Sequence, residues 1–100
     1  MPPPGHDRVV WETRDPDGRQ VVLLWLHWSH VIDRHPYIGV GPEGLLDAIA
    51  HPDARLAGQR PGQEWFYRRG IGPSAWIRVV VHYEGNRGRI VTAFPRRAFP

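Results

Sequence analysis

Cysteine and lysine are both missing from this chain of 100 residues, and each absence narrows what the protein can do. Without cysteine there is no disulfide framework, no thiolate metal site and no cysteine nucleophile. Histidine, present six times, is therefore the best candidate for moving protons near neutral pH. The 13 basic residues are all arginine. Because this pattern partly reflects GC-rich coding, the arginine count by itself is weak evidence for a nucleic-acid partner.

Long apolar runs are also absent. The longest, Val21 to Leu26, is far shorter than the roughly 20 residues needed to cross a bilayer, and no basic-then-apolar signal precedes it. We therefore expect no membrane association and a cytoplasmic site of action, although a module of a larger secreted polypeptide would have the same features. The chain is expected to form one domain over residues 8–97, after a proline-rich disordered leader or linker at residues 1–7.

Charge is distributed unevenly along the chain. Residues 1–63 contain six arginines and eight acidic residues, a balance of −2, whereas residues 64–100 contain seven arginines and two acidic residues, a balance of +5. A basic C-terminal third suits a polyanionic partner such as nucleic acid. The alternative interpretation is that these arginines only keep the edges of strands soluble.

The N-terminal part of the domain predicts a β-hairpin. The strand-like runs Arg8–Arg14 and Arg19–Leu26 flank the sequence Asp15-Pro16-Asp17-Gly18. Proline followed by an Asp-Gly step favours a tight turn, so the two runs are expected to pair with each other.

Two helices are predicted after the hairpin. From His27 the apolar period becomes that of a helix over residues 27–35, and Pro36 stops it because the residue before a proline is pushed out of the helical region. The segment Pro42 to His51 starts with proline, has apolar residues at helical spacing and ends at Pro52, so it predicts a second helix with a structural role.

The first of these helices has two different faces. Its reactive stripe consists of His27, His30 and Arg34, because residues three and four apart lie on the same side of a helix. The neighbouring face, which we expect to pack against the core, carries Trp28, Val31 and Ile32. One side of the helix is therefore free for chemistry while the other anchors it.

The remainder predicts a sheet. A loop is expected over Asp53 to Gln63, followed by strands at Gln63–Arg69, Ala75–Tyr83 and Gly88–Phe94, the last two joined as a hairpin. Alternation in the middle strand puts Arg78 and His82 on the face opposite Ile77 and Tyr83. The fold class predicted is α+β, with a short N-terminal hairpin and two helices packed on an antiparallel β-sheet of about four strands.

The order of five segments resembles the phage-type barnase/EndoU/colicin/RelE-like (BECR) nucleases, in their phage and polymorphic-toxin branches. These segments are Trp28–Pro36, the His-Pro-Asp step at 51–53, Glu64–Arg69, Ile77–Val81 and Ile90–Phe94. The resemblance covers residues 25–95. It implies N-terminal helices followed by a four-stranded antiparallel sheet, and a toxin-type enzyme that cleaves RNA without a metal or other cofactor. It also implies a neutralising immunity protein or antitoxin as a partner.

The resemblance also implies roles for particular residues. The family's helix histidine and arginine correspond to His30 and Arg34, its aromatic-basic strand pair to Tyr67 and Arg68, and the hydroxyl of its final strand to Thr92. We accordingly predict His30, Arg34 and Thr92 as catalytic. The residues predicted to bind substrate are His27, His35, Tyr67, Arg68, Arg78 and His82.

Metal-free RNA cleavage through a 2′,3′-cyclic phosphate needs a base for the ribose 2′-hydroxyl, an acid for the leaving 5′-oxygen and cations for the charge on phosphorus. His30 is the first candidate for proton transfer, with His35 or His82 as its partner. Arg34, one turn later, is expected to clamp the phosphate with its guanidinium fork, with Arg68 or Arg78 as a second clamp.

Other interpretations remain open. Alternation along a regular strand puts Tyr67 and Arg68 on opposite faces, so both reach one site only if a bulge re-aims one of them. Arg34 can pair with a carboxylate or stabilise the helix end, and His35 can serve in packing. A zinc enzyme is a further alternative, but no carboxylate stands at ligand spacing beside the histidines. The main competing hypothesis is a non-catalytic module of the same fold that binds nucleic acid or a protein partner.

Overall fold

A computed structural model describes residues 8–100, and the leader or linker predicted for residues 1–7 lies outside the described residues. The strands and helices follow one another as β1 (Val9–Arg14), β2 (Gln20–Leu24), α1 (Trp25–Arg34), α2 (Pro42–Ala50), β3 (Ala54–Ala57), β4 (Gln63–Arg69), β5 (Trp76–Glu84) and β6 (Arg87–Arg96).

All these strands belong to one open sheet in the order β1-β2-β6-β5-β4-β3. Neighbouring strands are antiparallel except β2 and β6, which run parallel from the pair Gln20 and Arg87 to the pair Val22 and Arg89. The predicted α+β class is confirmed, but the prediction of about four antiparallel strands is wrong. The N-terminal hairpin joins the main sheet through β2, and part of the predicted loop at 53–63 forms the edge strand β3.

The predicted hairpin turn is present, and Asp15 organises it. Its carboxylate Oδ1 accepts hydrogen bonds from the backbone N–H groups of Asp17 and Arg19, each 2.9 Å long. Gly18 has a positive φ of 85°, a conformation that glycine adopts without the steric cost of a side chain. The hydrogen bonds within this turn therefore join residues only a few positions apart in the sequence.

Both predicted helices are present, with small differences at their ends. Strand β2 stops at Leu24 and α1 starts at Trp25, two residues before the predicted start. The helix ends at Arg34, one residue before its predicted end at His35, which precedes Pro36. The backbone N–H of His35 donates a hydrogen bond to the carbonyl oxygen of Val31. In residues 8–100, no helix has the length and apolar character needed to span a membrane.

The sheet has a core face and an outer face, because side chains alternate along each strand. On the core face, four buried residues of β5 belong to one cluster with Leu45 and Ile49 of α2. The four β5 residues are Ile77, Val79, Val81 and Tyr83. The outer face of β5 carries Arg78, Val80 and His82. Helix α2 contacts β1, β4 and β5, so it lies on the core face.

Helix α1 takes the position beside β6 where β2 has ended. The pairing of β2 with β6 stops at Val22 and Arg89, whereas β6 continues to Arg96. Beyond that point α1 contacts β6, with Val31 buried in the core and Trp28 packed against it. The stripe of α1 that adjoins the buried Val31 therefore faces the second half of β6.

Candidate active site

A cavity of about 400 Å³ lies between α1 and β6, and we call it the α1–β6 cavity. It is lined by His27, His30 and Arg34 from the helix and by Val91 and Thr92 from the strand. The complete reactive stripe predicted for the helix therefore faces the hydroxyl residue predicted on the final strand. The three residues predicted as catalytic border one space.

A β-bulge in β6 helps to form this cavity. Val80 of β5 is paired with Thr92 and the next residue, Val81, with Ile90, so Val91 is the extra residue in β6. A bulge bends the strand locally and redirects its side chains. As a result two consecutive residues, Val91 and Thr92, both line the cavity, which regular alternation would not allow.

His27 has the most constrained environment of the cavity histidines. It is half-buried, and its Nδ1 is shielded from solvent without a hydrogen-bond partner among residues 8–100. This leaves Nε2 as the ring nitrogen that can exchange a proton with a ligand. Burial, together with the nearby charges of Arg89 and His30, lowers the pKa of His27 below its usual value of 6.5. The imidazole is therefore neutral at neutral pH.

His30 and Arg34 are exposed, one turn apart on the same side of α1. Neither side chain takes part in an ion pair within the described part of the chain. Among residues 8–100, Arg34 therefore does not pair with a carboxylate, which was one of the alternatives for this residue. Its guanidinium, in the last turn of the helix, is free to bind an anion.

His35 and His82 lie outside the α1–β6 cavity. His35 follows the end of α1 and packs its ring against Phe94, with 5.8 Å between the ring centroids. His82, paired in register with Arg89, lies 3.7 Å from a Glu84 carboxylate oxygen and borders a separate cavity of about 250 Å³. The two histidines predicted as proton-transfer partners for His30 are therefore in other surroundings.

Arg68 lies on the core face of the sheet and is occupied there. It stands opposite Ile77 in the β4–β5 ladder, and its Nη1 donates a 2.6 Å hydrogen bond to the backbone oxygen of His51. Its Nε lies 3.1 Å from an Asp47 carboxylate oxygen, an ion pair by distance although the N–H is not aligned for a hydrogen bond. Arg68 thus joins β4 to the end of α2 and does not line the α1–β6 cavity.

Tyr67 and Arg78 stand opposite each other on the outer face. Because β4 and β5 pair without a bulge, Tyr67 and Arg68 fall on opposite faces, as regular alternation predicts. Tyr67 is fully buried, so its ring has no exposed surface on which a base can stack. Its hydroxyl instead accepts a 2.7 Å hydrogen bond from Arg78 Nε.

Arg89 influences the candidate site from outside the α1–β6 cavity, which sequence reasoning missed; its own side chain borders the separate cavity beside His82. Its charge lowers the pKa of His27, and it stands opposite His82 in the β5–β6 ladder. The available signal was the alternation of Arg87 and Arg89 in a strand of the basic C-terminal third. That signal could not connect Arg89 to His27, because the connection depends on the position of α1 beside β6.

Within residues 8–100, no group of three or more histidine, aspartate or glutamate side chains is arranged to hold a metal ion.

Comparisons of the chain with protein families, with curated proteins and with solved structures give no match.

Proposed function

We propose that this protein is a metal-independent endoribonuclease of the toxin type, with a BECR-like fold and its active site in the α1–β6 cavity. The observation that carries the proposal is that His27, His30, Arg34 and Thr92 line this one cavity. They supply two proton-transfer groups and a cation, which metal-free cleavage of RNA requires, together with a hydroxyl that can donate a hydrogen bond to the phosphate.

The two histidines divide the proton transfers. Because the lowered pKa of His27 keeps its ring neutral, Nε2 takes the proton from the ribose 2′-hydroxyl. The 2′-oxygen then attacks phosphorus and forms the 2′,3′-cyclic phosphate, while the bond from phosphorus to the 5′-oxygen breaks. His30 in its protonated form gives a proton to that leaving oxygen. Residues three apart on a helix have Cβ atoms about 5–6 Å apart, so both rings can reach one phosphodiester.

Arg34 and Thr92 bind the phosphate from the two sides of the cavity. The guanidinium fork donates two parallel hydrogen bonds to phosphate oxygens and balances the charge that grows on them during attack. The Thr92 hydroxyl donates a third hydrogen bond from β6. Arg89, whose charge acts on His27, adds positive charge near the cavity and favours the approach of a polyanion.

The same proposal assigns a cytoplasmic site of action and a protein partner. A nuclease that damages its own cell needs a neutralising immunity protein or antitoxin, and an acidic surface on that partner would complement the arginines around the cavity. The chain acts alone or as a module of a larger polypeptide.

One observation favours the alternative, a non-catalytic module of this fold that binds nucleic acid or a protein. Nδ1 of His27 has no hydrogen-bond partner among residues 8–100, so no carboxylate or carbonyl in this part of the chain fixes the tautomer of the ring. Catalytic histidines are usually held by such a partner. A binding module needs only the charge and shape of the cavity.

The test is cleavage of labelled RNA in the presence of EDTA, with a panel of single-stranded, transfer and ribosome-bound RNAs. We expect wild-type protein to form cyclic-phosphate ends, and His27→Ala, His30→Ala and Arg34→Ala to lose roughly a hundredfold or more in rate. Matched controls are His51→Ala and Arg60→Ala, which remove an exposed histidine and an exposed arginine elsewhere.

Each outcome of this test separates the alternatives. No cleavage of any RNA by the wild-type protein would rule out the nuclease, and RNA binding without cleavage would then support the binding module. Cleavage that survives all three cavity substitutions would show that the site is elsewhere. Cleavage that needs added zinc would support a metalloenzyme.

A further inference from the structure

Arg78 is a buried guanidinium held inside a ring of aromatic side chains. Only 9% of the residue is exposed. Its guanidinium carbon lies 4.2 Å from the ring centroid of Trp65, 5.0 Å from that of Phe94 and 5.2 Å from that of Tyr67. Arginine over aromatic faces is a favourable arrangement, which offsets part of the cost of removing the charge from water.

Arg78 has no acidic partner in the described chain. The more exposed arginines Arg19, Arg55 and Arg68 all form ion pairs with carboxylates, whereas none of the ion pairs among residues 8–100 includes Arg78. Buried charges in proteins are normally paired, because an unpaired one loses its hydration without compensation. The most buried of these arginines is thus the one that lacks a carboxylate.

The fork of Arg78 is held in place with its two terminal nitrogens available. Nε donates to the Tyr67 hydroxyl at 2.7 Å, and Tyr67 is itself fixed by Phe99 and Trp76 at centroid distances of 4.8 and 6.3 Å. Nη1 and Nη2 make no hydrogen bond within residues 8–100. The buried side-chain atoms that lack a partner are His27 Nδ1 and Arg68 Nε, so neither terminal nitrogen of Arg78 is fully buried. They therefore reach solvent as a pre-oriented pair of donors.

The position of Arg78 relates it to the α1–β6 cavity. Arg78 stands opposite Phe94 in the β5–β6 ladder, and Thr92 stands opposite Val80, the neighbour of Arg78 on the same face. Diagonal neighbours of this kind on one face of a sheet have Cα atoms about 7–8 Å apart. Arg78 and Thr92 thus occupy neighbouring positions on the outer face.

We propose that Arg78 is a second oxyanion site, whose two terminal nitrogens bind the phosphate next to the one held in the α1–β6 cavity. The identification of this anion as an RNA phosphate rests on the function proposed above, whereas the binding of an oxyanion does not. A planar fork matches two phosphate oxygens, and the low polarity of the surrounding rings strengthens both hydrogen bonds. The partly exposed Trp65 and Phe94 form an apolar wall for the attached nucleoside.

The first test measures oxyanion binding without reference to catalysis. Protein labelled with ¹⁵N is titrated with inorganic phosphate, and the Nε–H resonance of Arg78 is followed, with sodium chloride at matched ionic strength as the control. We expect a saturable shift with phosphate that chloride does not produce. A resonance that phosphate leaves unchanged would show that Arg78 is a structural cation only, and would overturn the proposal.

The second test compares two substrates. A dinucleoside monophosphate has only the scissile phosphate, whereas the same compound with an added 5′- or 3′-terminal phosphate has a neighbour for Arg78. Arg78→Lys keeps the charge but not the fork. We expect this substitution to lower kcat/KM roughly tenfold or more on one of the extended substrates, and to change kcat/KM by less than about twofold on the short substrate. Tyr67→Phe, which frees Nε, is expected to produce a smaller loss with the same substrate dependence.

Equal losses on the short and extended substrates would overturn the proposal, because they would indicate a general disturbance of the sheet. Thermal unfolding of both variants identifies a folding defect, and if Arg78→Lys does not fold, Tyr67→Phe and the phosphate titration decide. If wild-type protein cleaves no RNA, the proposed function fails by itself, and the titration still tests the oxyanion site.

Discussion

The hydroxyl of Tyr83 donates a 2.7 Å hydrogen bond to Oδ2 of Asp15, joining the far end of β5 to the turn between β1 and β2. Arg19, from the same turn, lies over the Tyr83 ring at 3.7 Å and also pairs with Glu64 of β4. These contacts fasten the N-terminal hairpin to the central strands. They lie at the end of the sheet where β2 pairs with β6.

Removal of this hydroxyl is expected to destabilise the protein. Burial alone raises the pKa of Asp15, but hydrogen bonds from Tyr83 and Arg19 outweigh it and hold the pKa below the usual value of 3.8. Tyr83→Phe leaves a buried carboxylate with one donor fewer, and we expect the free energy of unfolding to fall by about 1–3 kcal/mol at pH 7. Chemical denaturation measures the loss, and Tyr37→Phe, at a tyrosine that is 88% exposed, is the control.

The pH dependence of this loss follows from the direction of the Asp15 shift. Because its folded pKa is depressed, the ionised carboxylate contributes stability that is present above pH 3.8 and is lost as the pH falls through the folded pKa. The difference between wild type and Tyr83→Phe should therefore shrink in acid. A difference that stays constant from neutral to acidic pH would contradict this assignment.

Arg89 is expected to control the titration of His27. After burial, the charge of Arg89 is the largest cause of the lowered pKa of His27. Arg89→Gln should therefore raise that pKa towards 6.5, as followed by NMR titration of the ring Cε1–H. Arg87→Gln, at an exposed arginine two residues earlier in β6, is the matched control and should have less effect. An equal response to both substitutions would mean that only overall charge matters.

His27 should also make the protein less stable at mildly acidic pH. The native protein keeps this ring neutral, whereas the unfolded chain takes up a proton near pH 6.5. Stability therefore rises with pH in this range, and is lost as the pH falls from 6.5 to the lower folded pKa. We expect His27→Gln to flatten this part of the stability curve, measured by urea unfolding from neutral to mildly acidic pH. His51→Gln, at an exposed histidine, should retain the wild-type slope.

Thr92→Val tests the contribution of the strand to the proposed reaction. Valine keeps the approximate shape and the strand preference of threonine but removes the hydroxyl that we propose donates to phosphate. We expect kcat/KM for RNA cleavage to fall roughly tenfold to a hundredfold with little loss of stability. Thr13→Val makes the same change on β1, away from the α1–β6 cavity, and should retain full activity. Similar losses in both variants would remove Thr92 from the site.

Gly39 is expected to be essential to the connection between the helices. It has a positive φ of 74°, and a Cβ atom there would overlap the ring of Pro73. Gly39→Ala should lower the free energy of unfolding by about 2–5 kcal/mol, from backbone strain and overpacking together. Gly70 has a similar φ of 76° but open space around it, so Gly70→Ala should cost about 1–2 kcal/mol, the strain alone. Equal losses, measured by thermal unfolding, would show that the contact with Pro73 is unimportant.

The local parts of this fold follow from the sequence. Asp15 and Gly18 specify the first turn, Pro36 and Pro52 place the ends of the helices, and the spacing of His27, His30 and Arg34 puts them on one stripe. Each of these features depends on residues a few positions apart. For the same reason the α+β class was predictable, and so was the separation of Tyr67 from Arg68.

The tertiary structure decided how these parts meet. The parallel pairing of β2 with β6 joins opposite ends of the chain, and its free energy comes from a shared core rather than from any local pattern. That pairing, with the bulge at Val91, brings Thr92 to the helix stripe and Arg89 to His27. Burial is likewise a property of the assembled fold, and it is the largest cause of the lowered pKa of His27.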